Sequence, residues 1–561
     1  MKRQEIKKVL NELTADIDSI ADKKAVGIIK VLVNLVEILA EENALLREKN
    51  QHLMDEINHL KGEKGKPEFR KQKKYDDDES DNNNHSSEEE RKIRSDKRDK
   101  KAKNKKSQTV KIDRQVMVEF DKANLPNDAK FKGYEKRIVQ DLKIITDNVE
   151  IILPTYYSRS LKKTFIAPLP MEYQGSEFGP GIKSLVITLY RDSGMTIPAI
   201  ERFLKTFAIQ ISRSTISDML IEKHDYFHQE KEDIIDAGLK ATTYQHLDDT
   251  GSRVNGKNHY THTLCNSYFT AYFTRPKKDR MTILEFLCRG ELKFLFNQDA
   301  FDLMAELGLP TKQLHRIHPM IQQEAMTRGD MDALLQKLFP NPKKHSTNRR
   351  IIFESSAIIY YQQSDGAVLY LICDDAPQFN KISKHLALCW IHEGRHYKKL
   401  NPLSNFSQKC VDDFIEKFWD YYNALLTYKQ NPTDKISWKL SGQFDSLFTT
   451  KTGYDALDQR IAMTLAKKDS LLLVLTYPFL PLHNNPAELG ARVQARIRGI
   501  NLQTISENGT KTKDTFATIV QTARKLRVNL YQYIYDRVSR KFKMPSLAEM
   551  IMTQINQTPL K

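Results

Sequence analysis

The stretch Val368-Leu-Tyr-Leu-Ile-Cys373-Asp374-Asp375 sets how the rest of the chain is read. Its apolar run is too short for a stable helix and suits a buried strand. It then stops at two acids. A carboxylate pair at the end of a buried strand is costly unless its charge is compensated, and a metal ion is a good compensator. Two further acidic stations flank it. Upstream, Thr242-Thr-Tyr-Gln-His-Leu-Asp248, His259–Asn266 and Tyr268–Thr274 read as strands of a meander. Residues 249–256 have turn chemistry, and Arg280–Leu287 reads as the helix that follows. Asp248 is therefore expected to end the first strand. Downstream, His483-Asn-Asn-Pro-Ala-Glu-Leu-Gly-Ala-Arg492 opens a helix, with Pro486 in its first turn and Glu488 just inside it.

Magnesium takes oxygen ligands, usually only a few of them carboxylates, and keeps places for water and substrate phosphate. Two such ions, about 4 Å apart, activate an attacking oxygen and stabilise a leaving one. Three carboxylates, one from each of the two strand-end stations at Asp248 and at Asp374-Asp375 and one from the helix at Glu488, are the smallest set that could hold such a pair. Asp249 and Asp375 are the alternates one residue along, and periodicity does not choose between them. Arg492 and Arg496 continue the face of Glu488 at i+4 and i+8, with Arg498 close behind, and would meet a phosphodiester backbone. Any one of these acids alone reads as a surface charge. His392 follows Cys389 by three, one ligand pair of a zinc site. Without a second pair it reads better as part of a packed cluster beside Trp390. His483 suits a phosphate contact or a structural cap equally.

The whole chain has 561 residues, enough for roughly three or four domains. Lys and Arg number 88 against 72 Asp and Glu, a net charge of +16, which favours an anionic partner such as nucleic acid. No apolar run is long enough for a transmembrane helix, and no signal core follows the charged start, so membrane insertion and secretion are not expected. The 5 cysteines form no C-x-x-C pair, which leaves little support for a disulfide framework or a structural zinc site.

Leucine recurs every seventh residue at Leu32, Leu39, Leu46, Leu53 and Leu60. Three residues before each stand Ile29, Val36, Asn43, Asn50 and Ile57. Leu at d with Ile or Val at a favours a parallel two-stranded coiled coil, while Asn43 and Asn50 at a would fix register and dimer state at a cost in stability. An amphipathic helix packed on the chain's own body is the alternative, and five unbroken d leucines favour the zipper over it. The coiled coil is placed at residues 1–61. Residues 62–110 carry an acidic run and then the basic run from Arg91 to Lys106, and read as a disordered linker whose basic half either grips phosphates or is simply solvated. Residues 111–175 return to alternation, as in Asn148-Val-Glu-Ile-Ile-Leu153, and suggest a small β-containing module. Residues 176–235 show helical periods. Ile197, Ile200, Phe203 and Leu204 mark one helix, and Ser212-Arg-Ser-Thr-Ile-Ser217 opens another, in the manner of a helix-turn-helix. Arg213, Ser214, Thr215 and Ser217 would then face DNA. An ordinary helical hairpin with a polar face is the alternative.

Three motifs now stand in order. They are Leu247-Asp248-Asp249-Thr250; Cys373-Asp374-Asp375-Ala-Pro-Gln-Phe379 with Leu388-Cys389-Trp390-Ile-His392-Glu-Gly-Arg395; and Asn484-Asn485-Pro-Ala-Glu488-Leu489. Together they resemble those of bacterial transposases of the insertion-sequence 66 type. The resemblance implies an α/β multidomain fold: an N-terminal coiled coil, a helix-turn-helix and a ribonuclease H-like DDE core. The core would span 236–535, with helical insertions at about 289–365 and 393–476, and a C-terminal tail would cover 536–561. It implies that Asp248, Asp374 and Glu488 are the catalytic carboxylates and hold two Mg2+ ions, with Mn2+ as a substitute. Water would cleave a strand, and the 3′-hydroxyl would then attack target DNA. The implied partners are double-stranded DNA, at transposon ends and target, a second copy of the chain or a larger multimer, and small accessory proteins encoded alongside. The implied location is the bacterial cytoplasm, at the nucleoid. The chain departs from the pattern in having no cysteine in 62–170 and in carrying Leu489 where the family has Arg. Two other readings are a DNA-binding regulator with an inert nuclease-like domain and a stand-alone metal-dependent nuclease. The intact acidic stations speak against the first, and the zipper and helix-turn-helix against the second.

Overall fold

The computed structural model describes residues 3–14, 22–60, 112–118, 134–170, 177–322 and 324–557, with the single residues 20, 132 and 173. The expected linker at 62–110 and the side chains of Asn50's neighbours Ile57 and Leu60 lie outside the described residues. Residues 76–169 with 204–210 form one compact unit, and the rest of the chain forms another.

In the smaller unit β1 (Thr155–Ser158) and β2 (Lys163–Ile166) make an antiparallel hairpin. The alternating segment 148–153, expected to supply a strand, is irregular instead. A strand needs a partner, and pairing begins only where Thr155 meets Ile166 across the hairpin.

The larger unit opens with α1 (Arg3–Thr14) and α2 (Lys23–Leu60). The heptads therefore lie on one continuous helix, but that helix has two uses. Val33 joins Leu10 and Leu403 in a small apolar cluster. Beside it the Asn34 amide donates to the Gly453 carbonyl at 3.1 Å, and Glu37 Oε1 accepts from the N–H groups of Leu403 and Ser404 at 3.3 and 2.8 Å. On its other side Leu32, Val36, Leu39, Leu46 and Leu53 are exposed, as are Asn43 and Asn50. The Asn43 amide turns back onto the Leu39 carbonyl of its own helix.

Next come α3 (Pro180–Arg191), α4 (Ile197–Lys205), α5 (Arg213–Ile221) and α6 (Asp225–Ala241). Ser212 caps α5 by accepting from the Thr215 N–H, and Arg191 reaches the Leu220 carbonyl at 3.0 Å.

The main sheet is five-stranded and mixed, of order β5-β4-β3-β8-β9. Its first three strands are β3 (Tyr244–Val254), β4 (Lys257–Cys265) and β5 (Thr270–Arg275), all antiparallel. Asp248 does not end its strand, contrary to expectation. Pairing runs on from Asp248↔Thr263 to Val254↔Lys257, because the turn is Asn255-Gly256, whose φ angles of 47° and 73° suit a tight hairpin. After α7 (Arg280–Leu287), the interval to the second acidic station holds a short ribbon and four helices. The ribbon is β6 (Phe294–Leu295) with β7 (Ala325–Met326), and the helices are α8 (Gln298–Glu306), α9 (Thr311–Ile317), α10 (Arg328–Leu338) and α11 (Ser346–Gln363). The sheet resumes with β8 (Tyr370–Cys373) and β9 (His385–Leu388), both parallel to β3.

A helical run follows: α12 (Trp390–Lys398), α13 (Asn405–Gln430), α14 (Asp434–Phe448), α15 (Asp455–Leu465), α16 (Lys468–Leu471) and α17 (Leu473–Thr476). Its aromatic residues Phe414, Phe418, Trp419, Tyr421 and Tyr422 are all buried as core, not displayed for base stacking. Then α18 (Asn485–Asn501) crosses the sheet and α19 (Glu507–Lys525) seals its edge. Asp514, Thr518 and Thr522, one helical turn apart, accept from the N–H groups of Thr274, Tyr272 and Thr270 on β5 at 2.6, 3.2 and 3.3 Å. Side chains on a helix thus occupy bonding groups that an edge strand would otherwise offer to another chain. The expected tail is instead ordered up to residue 557. α20 (Leu530–Val538) and α21 (Leu547–Gln557) belong to the fold, with Tyr533, Leu547 and Ile551 fully buried.

Candidate active site

Parallel pairing brings the first two stations together. Tyr244 pairs with Tyr370, Gln245 with Leu371 and His246 with Ile372. Two residues beyond His246, still within β3, stands Asp248, and two beyond Ile372, just past the end of β8, stands Asp374. Side chains alternate along β3, so Asp248 and Asp249 leave on opposite faces, and the charge of Asp374 bears on Asp248. Asp249 Oδ2 accepts from Gln378 at 2.7 Å and its Oδ1 lies 3.6 Å from Lys278. Asp375 is paired with Lys467 at 2.5 Å. Both alternates thus have cations of their own.

The third station is fastened to the first by Asn484, the residue before α18. Its amide donates to the Leu247 carbonyl at 2.8 Å, and its Oδ1 lies 3.0 Å from His246 Nδ1. Burial lowers the His246 pKa to about 3, so the ring is neutral and its Nδ1–H donates. The Asn484 N–H in turn donates to Cys389 Sγ at 3.2 Å. Burial pushes the Cys389 thiol up to about 12, so it is an uncharged acceptor. Gly490 lets α18 lie close to the sheet: a Cβ there would stand 2.6 Å from Thr263 Cγ2. The Tyr272 hydroxyl donates to the Gly490 carbonyl at 3.1 Å. Pro486 sits in the first turn and Glu488 follows it, as expected.

Asp248 and Asp374 are carboxylates short of positive charge, whereas Glu488 has a cation beside it. Asp248 is pushed up to about 7, first by burial and then by the charge of Asp374, with Asp249 and Glu488 adding to it. Asp374 is also raised, chiefly by burial, although the Ala376 N–H and His392 work against it. Glu488 accepts from both terminal nitrogens of Arg395 at 3.2 Å. Among the described residues, the three ligand-type side chains whose donor atoms all lie within 4.8 Å of one another are Cys389, His392 and Glu488. Asp248, Asp374 and Glu488 are thus electrostatically coupled without being gathered that tightly.

Oxygen donors, burial and mutual repulsion fit a hard divalent cation. Glu488 Oε1 is buried and has no hydrogen-bond partner among the described residues, which also fits. When bound, such ions would supply Lewis-acid activation and charge stabilisation of a phosphodiester. The protein's part is to place the carboxylates and hold them through Asn484, Gly490 and Arg395.

A family described as "Transposase IS66 family" matches residues 175–302 and 358–512. The chain belongs to the IS66 transposase family. Both acidic strands and the helix of Glu488 fall inside the match, and the interval 303–357, within the expected first insertion, falls outside it. Membership implies transposase function, and transposases act on DNA; DDE transposases generally use divalent metals. A relative, the uncharacterized protein y4jO of Sinorhizobium fredii, is 28% identical over 308 residues, covering 54% of this chain and 94% of that protein.

The remaining expected residues are placed as follows. Arg213, Ser214 and Thr215 stand at the start of α5, but Arg213 is paired with Glu201 at 2.6 Å and Ser214 is bonded to the capping hydroxyl of Ser212 at 2.7 Å. Ser217 lies further along the same helix. Arg492 and Arg496 are exposed along α18, whereas Arg498 donates to the Gly251 carbonyl. Among the described residues, no helix is long and apolar enough to cross a membrane. Sequence reasoning gave no role to Asn484, Gly490 or Arg395. The Asn-Asn before Pro486 was the available signal for the first, and the small-residue spacing Ala487, Gly490, Ala491 for the second.

Proposed function

We propose that this family member is a DDE transposase that binds transposon ends, cuts a strand with water and joins the 3′-hydroxyl to target DNA. Its core has a ribonuclease H-like strand order, and Asp248, Asp374 and Glu488 hold two Mg2+ ions, or Mn2+ in their place. The observation that supports this best is the parallel pairing of β3 with β8, which brings Asp374 near enough for its charge to act on Asp248, with Glu488 fastened to β3 through Asn484. The pull of Lys278 and Lys467 on the neighbouring acids favours this register over Asp249 and Asp375. Catalysis is then mainly positioning and charge stabilisation.

In this reading α4 and α5 are a helix-turn-helix, and Arg213, Ser214, Thr215 and Ser217 read the ends. Arg492, Arg496 and Arg498 contact the backbone. The seam of the exposed Leu32, Leu39, Leu46, Leu53, Asn43 and Asn50, continued in the sequence by Leu60, pairs with a second copy so that two ends are held together. The domain boundaries follow those drawn from the sequence, except that residues 536–557 belong to the core. Accessory proteins and a nucleoid location are carried with this reading. The test is a labelled duplex bearing the inverted repeats that flank the coding region. The protein should bind it and nick it at the repeat ends with Mg2+ and not with chelator. Binding without cleavage under every metal and companion protein supplied would favour an inert regulator.

A further inference from the structure

Arg395 is the nearer of two guanidiniums at Glu488; the more exposed Arg492 reaches the same Oε2 only at 4.0 Å. Both terminal nitrogens of Arg395 lie 3.2 Å from Oε2, and Nη1 also lies 3.4 Å from His392 Nε2. His392 Nδ1 stands 3.6 Å from the other oxygen, Oε1, and neither of these two buried atoms has a hydrogen-bond partner among the described residues. One oxygen of the carboxylate is therefore held and the other is not. The Arg395 side chain is 38% exposed and that of Glu488 11% exposed, so the guanidinium can turn outward while the carboxylate stays in place.

The helix beneath Arg395 is held separately. Trp390 is fully buried, and its indole N–H donates to the Leu471 carbonyl at 3.0 Å. The buried Glu393 accepts from Thr464 at 2.5 Å and pairs with Arg460 and, at 3.1 Å, with Lys467. Losing the Arg395 head group therefore leaves α12 fixed.

We propose that Arg395 is a positioning residue that stands in for a divalent cation at Glu488, holding its carboxylate until metal arrives and yielding Oε2 to it. This rests on the reading of Asp248, Asp374 and Glu488 as a metal site. An oxygen occupied by two guanidinium nitrogens is not free to ligate a cation, so the two compete. The competition fixes a sign. Removing Arg395 removes the nearer competitor and leaves the buried carboxylate with only the exposed Arg492 at 4.0 Å, so the metal-free chain is less stable and binds metal more tightly. An arginine with a merely structural role would have the opposite effect, because a loosened Glu488 would bind metal less well.

The experiment is Mn2+ binding to the full chain by titration calorimetry, with melting curves with and without Mn2+. The proteins are wild type, Arg395→Ala, Arg395→Lys and Glu488→Gln. Arg395→Ala should bind Mn2+ about tenfold more tightly than wild type, and Mn2+ should raise its melting temperature by more. Arg395→Lys should fall between them, since a point charge replaces a fork. Should Arg395→Ala fail to fold, the lysine variant decides by the same sign. Equal or weaker Mn2+ binding by the folded variant overturns the proposal. If Glu488→Gln binds Mn2+ as wild type does, the metal-site reading itself fails and takes the proposal with it. If Glu488→Gln weakens binding and Arg395→Ala does not tighten it, the proposal alone fails.

Discussion

Asn484 hydrogen-bonds to the carbonyl of Leu247, the residue immediately before Asp248. That bond ties the first turn of the helix carrying Glu488 to the strand carrying Asp248, across 237 positions of sequence. Asn484→Ala removes both side-chain bonds and leaves the buried His246 N–H without its acceptor. A loss of about 2 kcal/mol or more is expected, since an unsatisfied buried donor costs most of its desolvation. Denaturant unfolding should show it, and Mg2+-dependent cleavage should fall with it. A variant as stable and active as wild type would mean that other contacts place α18.

Gly490 is a second fixed point of the same helix. Its replacement by Ala would put a methyl 2.6 Å from Thr263 Cγ2, so α18 must lift off the sheet. The expected cost is about 1–3 kcal/mol, typical of overpacking. Cleavage should be lost at a temperature where the variant is still folded by circular dichroism, because Glu488 moves with the helix.

The two faces of α2 should separate by mutation. Asn34→Ala with Glu37→Ala removes the bonds to Gly453, Leu403 and Ser404. Amide exchange at residues 403 and 404 should then quicken, with the oligomeric state unchanged. Leu39→Asn with Leu46→Asn should do the reverse, giving a smaller species in sedimentation with the docking contacts protected. If both pairs change the same property, the two faces are not independent.

A pH effect follows from Glu230, a buried residue of α6. One guanidinium, Arg537, is shared between Asp536 at 2.6 Å and Glu230 at 3.6 Å. Asp536 also accepts from the N–H groups of Lys543 and Met544, whereas the Leu547 N–H reaches Glu230 at 3.4 Å. Burial therefore dominates at Glu230 and pushes its pKa up to about 7, Arg537 notwithstanding. The folded chain holds a proton there that the unfolded chain releases near its ordinary value. Stability should thus fall as pH rises from about 4.5 to about 7, by on the order of 3 kcal/mol, and level off above. Glu230→Gln should remove that part of the slope. An unchanged slope would show that Glu230 titrates normally.

The legible parts of this fold were those whose pattern is local. Tyr370–Cys373 is buried throughout, so its apolar run announced it. The far half of β3 was misread because Thr250, Gly251, Ser252 and Arg253 are only partly buried or exposed and look like turn residues, while the turn itself lay in Asn255-Gly256. The heptads were visible, but the docked face of α2 was not. Asn34 and Glu37 bond to backbone groups about 370–420 residues away, which leaves no period to detect. Arg395 and Glu488 are likewise 93 positions apart. The last helix reads as tail from the sequence because its buried Leu547 and Ile551 make only one short apolar stripe.

The central claim is that Asp248, Asp374 and Glu488 form one metal-dependent site. The direct measurement is cleavage of a labelled duplex carrying the element's own ends, with Mg2+, by wild type and by Asp248→Asn, Asp374→Asn and Glu488→Gln, alongside Asp249→Asn and Asp375→Asn. All three of the first set should bind the ends and fail to cut, while the two neighbours retain cleavage. Loss of cleavage in Asp249→Asn or Asp375→Asn, with its neighbour at 248 or 374 still active, would contradict the assignment.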